Sequence, residues 1–383
     1  MMVDRSDLNR LCFGQPYPRQ IALFRALPGL GDMLCAVPAL RALRAVLPEA
    51  RITLIGLPWA KVFVQRFQAY LDDLVEFPGY PGLPDRVPQL RQFPSFLADV
   101  QAREFDWIVQ MHGNGSIINP LVVLLAARRT AGFYLPGQYC PDEHTFLPYP
   151  EHEPEVWRHL RLMEFLGVPN QGDSLEFPLD LADWQDLSSL EEVRGLRPRE
   201  YVCVHPGASV PERCWPPERF AAVADTLAAR GLQVVLTGTV RETVLTRTVA
   251  RTMKHRPIDL TGRTSLGALG ALLSQARLLV CNDTGVSHLA AALQVPSVVI
   301  FSQSDPDRWA PLNRERHRIL YRLPQAHPGS PCTEVKETNG LSRSNGQQTH
   351  ILGRQKLSLG GVTPEMVLAE AETLLKQEIG ASA

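Results

Sequence analysis

Short apolar runs alternate with longer amphipathic stretches through most of the chain. Ile21–Phe24 is a compact apolar run. From Asp32 to Leu47 the apolar residues Leu34, Val37, Leu40, Leu43, Ala45 and Val46 recur every three to four positions, and Pro48 follows. The first pattern predicts a buried strand and the second a helix facing a core. Arg51–Gly56 and Trp107–Gln110 read as further strands, and Asn119–Arg129 as a helix. The second half repeats the scheme, with strands at Tyr201–Val204, Gln233–Leu236, Leu278–Cys281 and Ser297–Phe301 and a helix over Pro216–Arg230. This β-α-β alternation predicts an α/β protein with parallel sheets covered by helices on both faces. Two Rossmann-like halves of this kind leave a crevice between them, the usual place for a ligand.

Three stretches break the pattern. Between Pro78 and Pro94 prolines are too dense for a long helix or a central strand, which predicts a surface loop serving as a lid or a contact region. Residues 176–198 carry Pro178 and a polar helical run and read as the linker between halves. Residues 325–358 are polar and weakly patterned, the composition of a mobile segment. A helix then follows over Val362–Leu375, with Thr363 as cap, Pro364 at the first helical position and Glu365 in the first turn. The expected division is 1–175 for an N-terminal half, 176–198 for the linker, 199–345 for a C-terminal half, and 346–383 for the polar segment and terminal helix.

Composition narrows the class. At 383 residues the chain exceeds one ordinary core and fits two domains. Its 45% hydrophobic and 21% charged residues are those of a soluble globular enzyme. A formal charge of −1 supplies no global field for nucleic acid or an anionic membrane. Seven scattered cysteines without a Cys-x-x-Cys pair argue against a disulfide framework and against a zinc site. No signal-type apolar core precedes residue 20, and the longest apolar run, 120–127, is too short to span a bilayer. The expectation is a cytoplasmic protein.

Three turns carry candidate chemistry. In the C-terminal half a strand ends at Cys281, a polar turn runs through Asn282, Asp283, Thr284 and Gly285, and a small-residue helix begins near Val286. Backbone N–H groups at such a helix start suit a phosphate or diphosphate, with Thr284 adding a hydroxyl and His288 one turn on pointing to the same end. As an isolated motif, Asp283 reads rather as a helix cap and His288 as a satisfied surface histidine; the rest of this half shifts the balance. The second turn leaves another strand through Pro206, Gly207, Ala208 and Ser209 and reaches Arg213, whose guanidinium matches phosphate oxygens bidentately. The third lies in the N-terminal half, where Gly29 and Gly31 would suit a phosphate loop except that Asp32 follows. A carboxylate there repels an anionic ligand. A dinucleotide-dependent oxidoreductase would show a third glycine where Leu34 stands, which argues against that class.

Taken in order, these motifs resemble glycosyltransferase family nine, the ADP-heptose:lipopolysaccharide heptosyltransferases. They are Gly31-Asp32 with Pro38, Ala39, Leu40 and Leu43; Pro206 to Ser209 with Arg213, Trp215 and Pro216; and Asp283 to Gly285 with His288 to Ala291. The resemblance runs from about residue 20 to 312 and resumes in the terminal helix. It implies the GT-B fold, two Rossmann-like domains facing across a cleft, and an inverting transferase that needs no catalytic metal and no cofactor beyond a nucleotide-sugar co-substrate, ADP-heptose. The family's roles then fall on Asp32 as acceptor base, Arg213 as neutraliser of the diphosphate, and Asp283, Thr284, Gly285 and His288 as donor-binding residues, with Ser209 beside them. The family's acid after a Leu-Thr-Gly strand end has a displaced counterpart in Glu242.

On this reading the helix dipole keeps Asp32 ionised, and Gly29 and Gly31 clear space for the acceptor. Acceptor-binding candidates are His112, Asn114 and Ser116 after the Trp107–Gln110 strand, together with Arg25; Arg128 and Arg129 are candidates for a phosphorylated acceptor or for surface salt bridges. The partners implied are a nucleotide-sugar donor and a glycan or lipid-linked glycan acceptor, with no nucleic acid and a candidate peripheral contact with the inner membrane face. A different nucleotide sugar, a protein acceptor, and a non-catalytic sugar-nucleotide binder remain open alternatives.

Overall fold

The computed structural model describes residues 12–14, 17–321 and 361–381, so the polar 325–358 stretch lies outside the described residues. Two parallel sheets organise the rest. The first is built from β1 (Gln20–Phe24), β2 (Arg51–Gly56), β3 (Asp73–Glu76), β4 (Trp107–Gln110), β5 (Arg129–Tyr134) and β6 (Phe146–Pro148), in spatial order β3-β2-β1-β4-β5-β6. The second contains β7 (Tyr201–His205), β8 (Gln233–Leu236), β9 (Ile258–Asp259), β10 (Leu278–Asn282), β11 (Ser297–Phe301) and β12 (His317–Tyr321), ordered β12-β11-β10-β7-β8-β9. Each sheet reverses direction once, between β1 and β4 and between β7 and β10. Ligands of open α/β sheets bind outside the carboxyl ends of strands at such reversals.

The central strands are apolar because both faces are covered. Ile21, Phe24, Val202, Val204, Leu279 and Val280 are at most 1% exposed. On one side of the first sheet lies the Leu30–Val46 helix, itself packed against the Glu155–Phe165 helix. The same Leu30–Val46 helix meets the Gly285–Ala292 helix of the second half, and a single apolar cluster runs through both halves at this seam. The approach is close: a Cβ on Gly31 would lie 2.6 Å from His288 Cδ2, and one on Gly285 would lie 3.2 Å from the Gly31 nitrogen. Only hydrogen at both positions lets the two helix starts touch.

The terminal helix, Pro364–Ala381, buries Val367, Ala371 and Leu374 against the second sheet's core. Its entry is fixed by Trp215 Nε1 and Arg219 Nη1, which donate to the Val362 carbonyl at 3.1 and 2.7 Å. Within 176–198 the chain forms a helix, Leu181–Ser189, opened by a reciprocal Asp180–Asp183 capping box. Arg66 of the first half grips Asp183 through two bonds of 2.6 and 2.8 Å. The helix expected over Asn119–Arg129 is shorter, Ile118–Leu124. The chain reverses at Ala126, with φ of 57°, and Arg129 opens β5 instead.

Candidate active site

Both sheet reversals deliver helix starts to one place. After β1 the chain turns at Gly29 into the Leu30–Val46 helix, which puts Asp32 in its first turn with Gly29, not Asp32, as the N-cap. The carboxylate folds back over Gly29, where an added Cβ would sit 2.2 Å from Asp32 Oδ2. Gly29 therefore makes room for the acid itself, and Gly31 for His288, rather than for an acceptor. Burial pushes the Asp32 carboxyl above the usual aspartate range, Arg25 and Arg308 pull it down, and Glu155 and Asp85 push it up. This corrects the expectation that the helix dipole lowers it: loss of hydration outweighs the dipole at a half-buried position.

Across the seam, β10 ends at Asn282 and the Gly285–Ala292 helix starts after Thr284, which is its N-cap in extended conformation. Asp283 precedes the cap. It accepts a hydrogen bond from the Ser304 hydroxyl, and burial raises its carboxyl against the pull of Ser304 and Arg213, with Asp32 adding to the rise. Asp32 and Asp283 thus face the same space from opposite halves, with Arg213 beside the second. Arg213 sits half-buried on a single 3-10 turn, Pro211–Arg213, with Ser209 exposed just before it. His288 is 4% exposed and faces Cys35 Sγ at 3.5 Å through Nδ1. Burial lowers its pKa to about 4. The neutral ring is wedged at the seam, with Nδ1 on Cys35 and Cδ2 against Gly31.

Asn282, to which the sequence assigns no role, and Glu242, the displaced acid, organise the turns of the second half. Asn282 is fully buried and joins three segments: its Oδ1 accepts from the Trp215 N–H at 3.0 Å, and its Nδ2 donates to the Pro206 carbonyl at 2.6 Å. The loop carrying Ser209 and Arg213 is thereby tied at both ends to β10. Glu242 caps its own turn through Thr239 N–H at 2.6 Å, and its carboxylate fills the space over Gly207, where a Cβ would meet Oε1 at 1.8 Å. The displaced acid is therefore in contact with the Pro206–Ser209 turn.

The acceptor-side candidates separate. Arg25 is 2% exposed and spends its donors inward: Nε and Nη2 on the Asp32 carbonyl at 3.1 and 2.5 Å, Nη1 on the Met111 carbonyl at 2.5 Å. Such an arginine holds two loops together and has no face left for an acceptor. His112 is also buried. Its Nδ1 accepts from the Ala26 N–H at 3.2 Å, which leaves the proton on Nε2, 3.2 Å from Asp85. That contact ties the proline-dense loop to the segment that follows β4. Asn114 and Ser116 are half-buried and bonded to each other, the Ser116 hydroxyl donating to Asn114 Oδ1 at 2.8 Å. Arg129 opens β5 and stacks over Trp107, and Arg128 pairs with Asp106 at 3.4 Å; both lie at the amino ends of the strands, away from the crevice. Among the described residues there is no group of three or more His, Cys, Asp or Glu side chains able to hold a metal ion. Nor is any described helix long and apolar enough to cross a membrane.

Residues 95–337 match the family model of glycosyltransferase family 9 (heptosyltransferase), which is more than half of the chain. Lipopolysaccharide heptosyltransferase 3 of Escherichia coli K12 is 24% identical over 357 residues, covering 91% of this chain and 96% of that one. Among solved structures, a family 9 glycosyl transferase from Veillonella parvula superposes with a TM-score of 0.71 at 23% identity, covering 94% of this chain and 98% of its own. The ADP-heptose LPS heptosyltransferase II of E. coli superposes at 0.68 with 20% identity, covering 94% and 99%. Those likenesses carry the fold, two parallel α/β domains of the GT-B type. The chain belongs to glycosyltransferase family 9, the heptosyltransferase family.

Proposed function

We propose that this protein is an inverting glycosyltransferase that moves a heptose from ADP-heptose to a lipopolysaccharide-core acceptor. One observation carries the reading: two helix starts from opposite halves abut, with Asp32 on one side and Asp283, Thr284 and Arg213 on the other. Family membership and the names of the relatives support the sugar and the acceptor. The donor binds the 199–345 half, its diphosphate received by Arg213, Ser209 and the backbone of Thr284 and Gly285, with Asp283 and Glu242 as further polar contacts. The acceptor enters from the 1–175 half.

In the reacting complex an acceptor hydroxyl oxygen attacks the anomeric carbon. The bond from that carbon to the diphosphate oxygen breaks, the hydroxyl proton passes to the Asp32 carboxylate, and ADP leaves with the electron pair. A base with a raised pKa suits this step, because proton acceptance is most effective when the base titrates near the working pH. Charge developing on the diphosphate meets a guanidinium and helix-start N–H groups already in place. No metal ion is required in this scheme. His288 acts by holding the seam rather than by touching phosphate, and Asn114 and Ser116 remain the acceptor-side candidates. The proline-dense loop, with Val87 and Leu90 80% and 63% exposed, is a candidate for peripheral contact with the inner membrane face where a lipid-linked acceptor resides.

The test is a transfer assay with heptose-deficient lipopolysaccharide core, run with ADP-heptose and with UDP-, GDP- and CMP-sugars. Transfer from ADP-heptose alone is expected. Efficient transfer from another nucleotide sugar would replace the donor assignment.

A further inference from the structure

A charge cluster lies between the two halves, close to the site. Its centre is Glu155, the first residue of the Glu155–Phe165 helix, with a side chain 5% exposed. Around that carboxylate are Arg158 Nη1 at 2.6 Å, Arg25 Nη2 at 3.4 Å, His159 Nε2 at 3.2 Å and Arg308 Nη2 at 3.0 Å. Arg308 comes from the other half, on the short Pro306–Trp309 helix that follows β11. Arg25 connects the cluster to the chemistry, because two of its donors hold the Asp32 carbonyl and a third holds Met111 at the end of β4.

Buried ion pairs cost more in lost hydration than they commonly return, so stability alone is a weak reason for four charged side chains to gather here. Their arrangement gives a better one. We propose that Arg308 and Arg25 are positioning residues for Asp32, joined through Glu155, so that seating the second half on the first fixes the backbone that carries the base. Without Arg308 the acceptor half holds Arg25 and Arg158 against Glu155, Asp32 and Asp85, a formal balance of −1. Arg308 brings one positive charge to that set only when the halves are together. The inference rests on reading Asp32 as the base.

The groups facing Asp32 set the sign of the expected pH response. They are Arg25 at the end of β1, Asp85 on the proline-dense loop, Glu155, Arg308, Asp283, the thiol of Cys35 three residues on, and the neutral His288. Arg308 favours the ionised carboxylate and Glu155 opposes it. Removing Arg308 therefore moves the acid limb of kcat to higher pH, and removing the Glu155 charge moves it to lower pH.

The experiment measures kcat against pH and ADP affinity by calorimetry for Arg308→Gln, Arg308→Lys, Glu155→Gln and Asp32→Asn in the full-length protein. Arg308→Gln is expected to leave ADP affinity at the wild-type value. Its kcat should fall roughly 2- to 30-fold, the scale for residues that bias a site without touching ligand, and its acid limb should rise. Arg308→Lys should restore the limb. Glu155→Gln strands two buried cations and serves only if it folds; the Arg308 pair decides the matter without it. An Arg308→Gln enzyme with wild-type kcat and an unmoved limb would overturn the linkage, as would a limb that moves the same way in Arg308→Gln and Glu155→Gln. Should Asp32→Asn turn over normally, the base assignment fails first. An inactive Asp32→Asn beside a silent Arg308→Gln would instead leave the base standing and remove only the linkage.

Discussion

Replacing Asn282 with alanine would cut the tie that holds the Pro206–Arg213 loop to the sheet. Two well-formed bonds are lost, to the Trp215 N–H at 3.0 Å and the Pro206 carbonyl at 2.6 Å, while the third contact, to the Gly207 carbonyl at 3.4 Å, is too long to count for much. Both partners are left buried beside a side chain that is 0% exposed, so water cannot readily replace the amide. Leaving a buried donor or acceptor unsatisfied costs about 1–3 kcal/mol per group, which gives roughly 2–6 kcal/mol for the pair. That is a large fraction of a typical domain's stability. Asn282→Asp is no milder: a carboxylate still accepts from Trp215, but its other oxygen faces the Pro206 carbonyl as acceptor against acceptor, and it brings a buried charge beside Asp283. Urea unfolding monitored by tryptophan fluorescence, together with ADP calorimetry, should show a lower midpoint and weaker ADP binding in both variants. Wild-type midpoint and ADP affinity in Asn282→Ala would refute the argument that this side chain organises the loop.

The remaining expectations concern the donor, the metal and pH. Arg213→Ala should weaken ADP binding by about 1.5–3 kcal/mol, the scale of a charge-assisted hydrogen bond, as read by calorimetry. Turnover should withstand EDTA, and strict dependence on added manganese or magnesium would contradict the metal-free scheme. Because burial raises the Asp32 carboxyl, kcat should fall with acid at a pH above the ordinary aspartate value of 3.8. The stability sign follows from the same shift: the folded protein disfavours ionised Asp32, a penalty fully present above its folded pKa and absent below 3.8. Asp32→Asn should therefore melt higher than wild type at neutral pH, and the difference should vanish as pH falls through that window.

How much of this was readable in the sequence depends on where the causes lie. β1, β2, β4, β7, β8, β10 and β11 are central or nearly so, and their apolar runs announce burial on both faces. β3, β5, β6, β9 and β12 went unseen because they lie toward the sheet edges, short or half-exposed, with polar residues such as Asp73, Glu76, Arg129, Asp259 and Arg318 breaking the apolar signal. The reversal at Ala126 has no glycine to mark it, which is why the Ile118–Leu124 helix read as longer. Asp32, Arg213 and Asp283 stood out because each follows a strand in a turn with its own local pattern. Asn282 sat inside one of those turns, yet its partners are 67 and 76 residues away. Arg308 meets Glu155 across 153 residues. Spacing along a chain carries no trace of such contacts. The raised Asp32 carboxyl was missed for the same reason, since the burial responsible for it comes from the packing of both halves.

In the proposed reaction the base is the Asp32 carboxylate, and Asp32→Asn addresses it with the least collateral change. Asparagine keeps the size and much of the hydrogen bonding but cannot take the acceptor's proton. The decisive measurement is kcat for heptose transfer by the folded variant, set beside its ADP affinity and melting temperature. A loss of about 10²- to 10⁴-fold in turnover is expected, the range for a general base, with ADP affinity unchanged because the proposed donor contacts lie across the seam. Near-wild-type turnover in a folded Asp32→Asn would contradict it, and the base would have to be sought elsewhere.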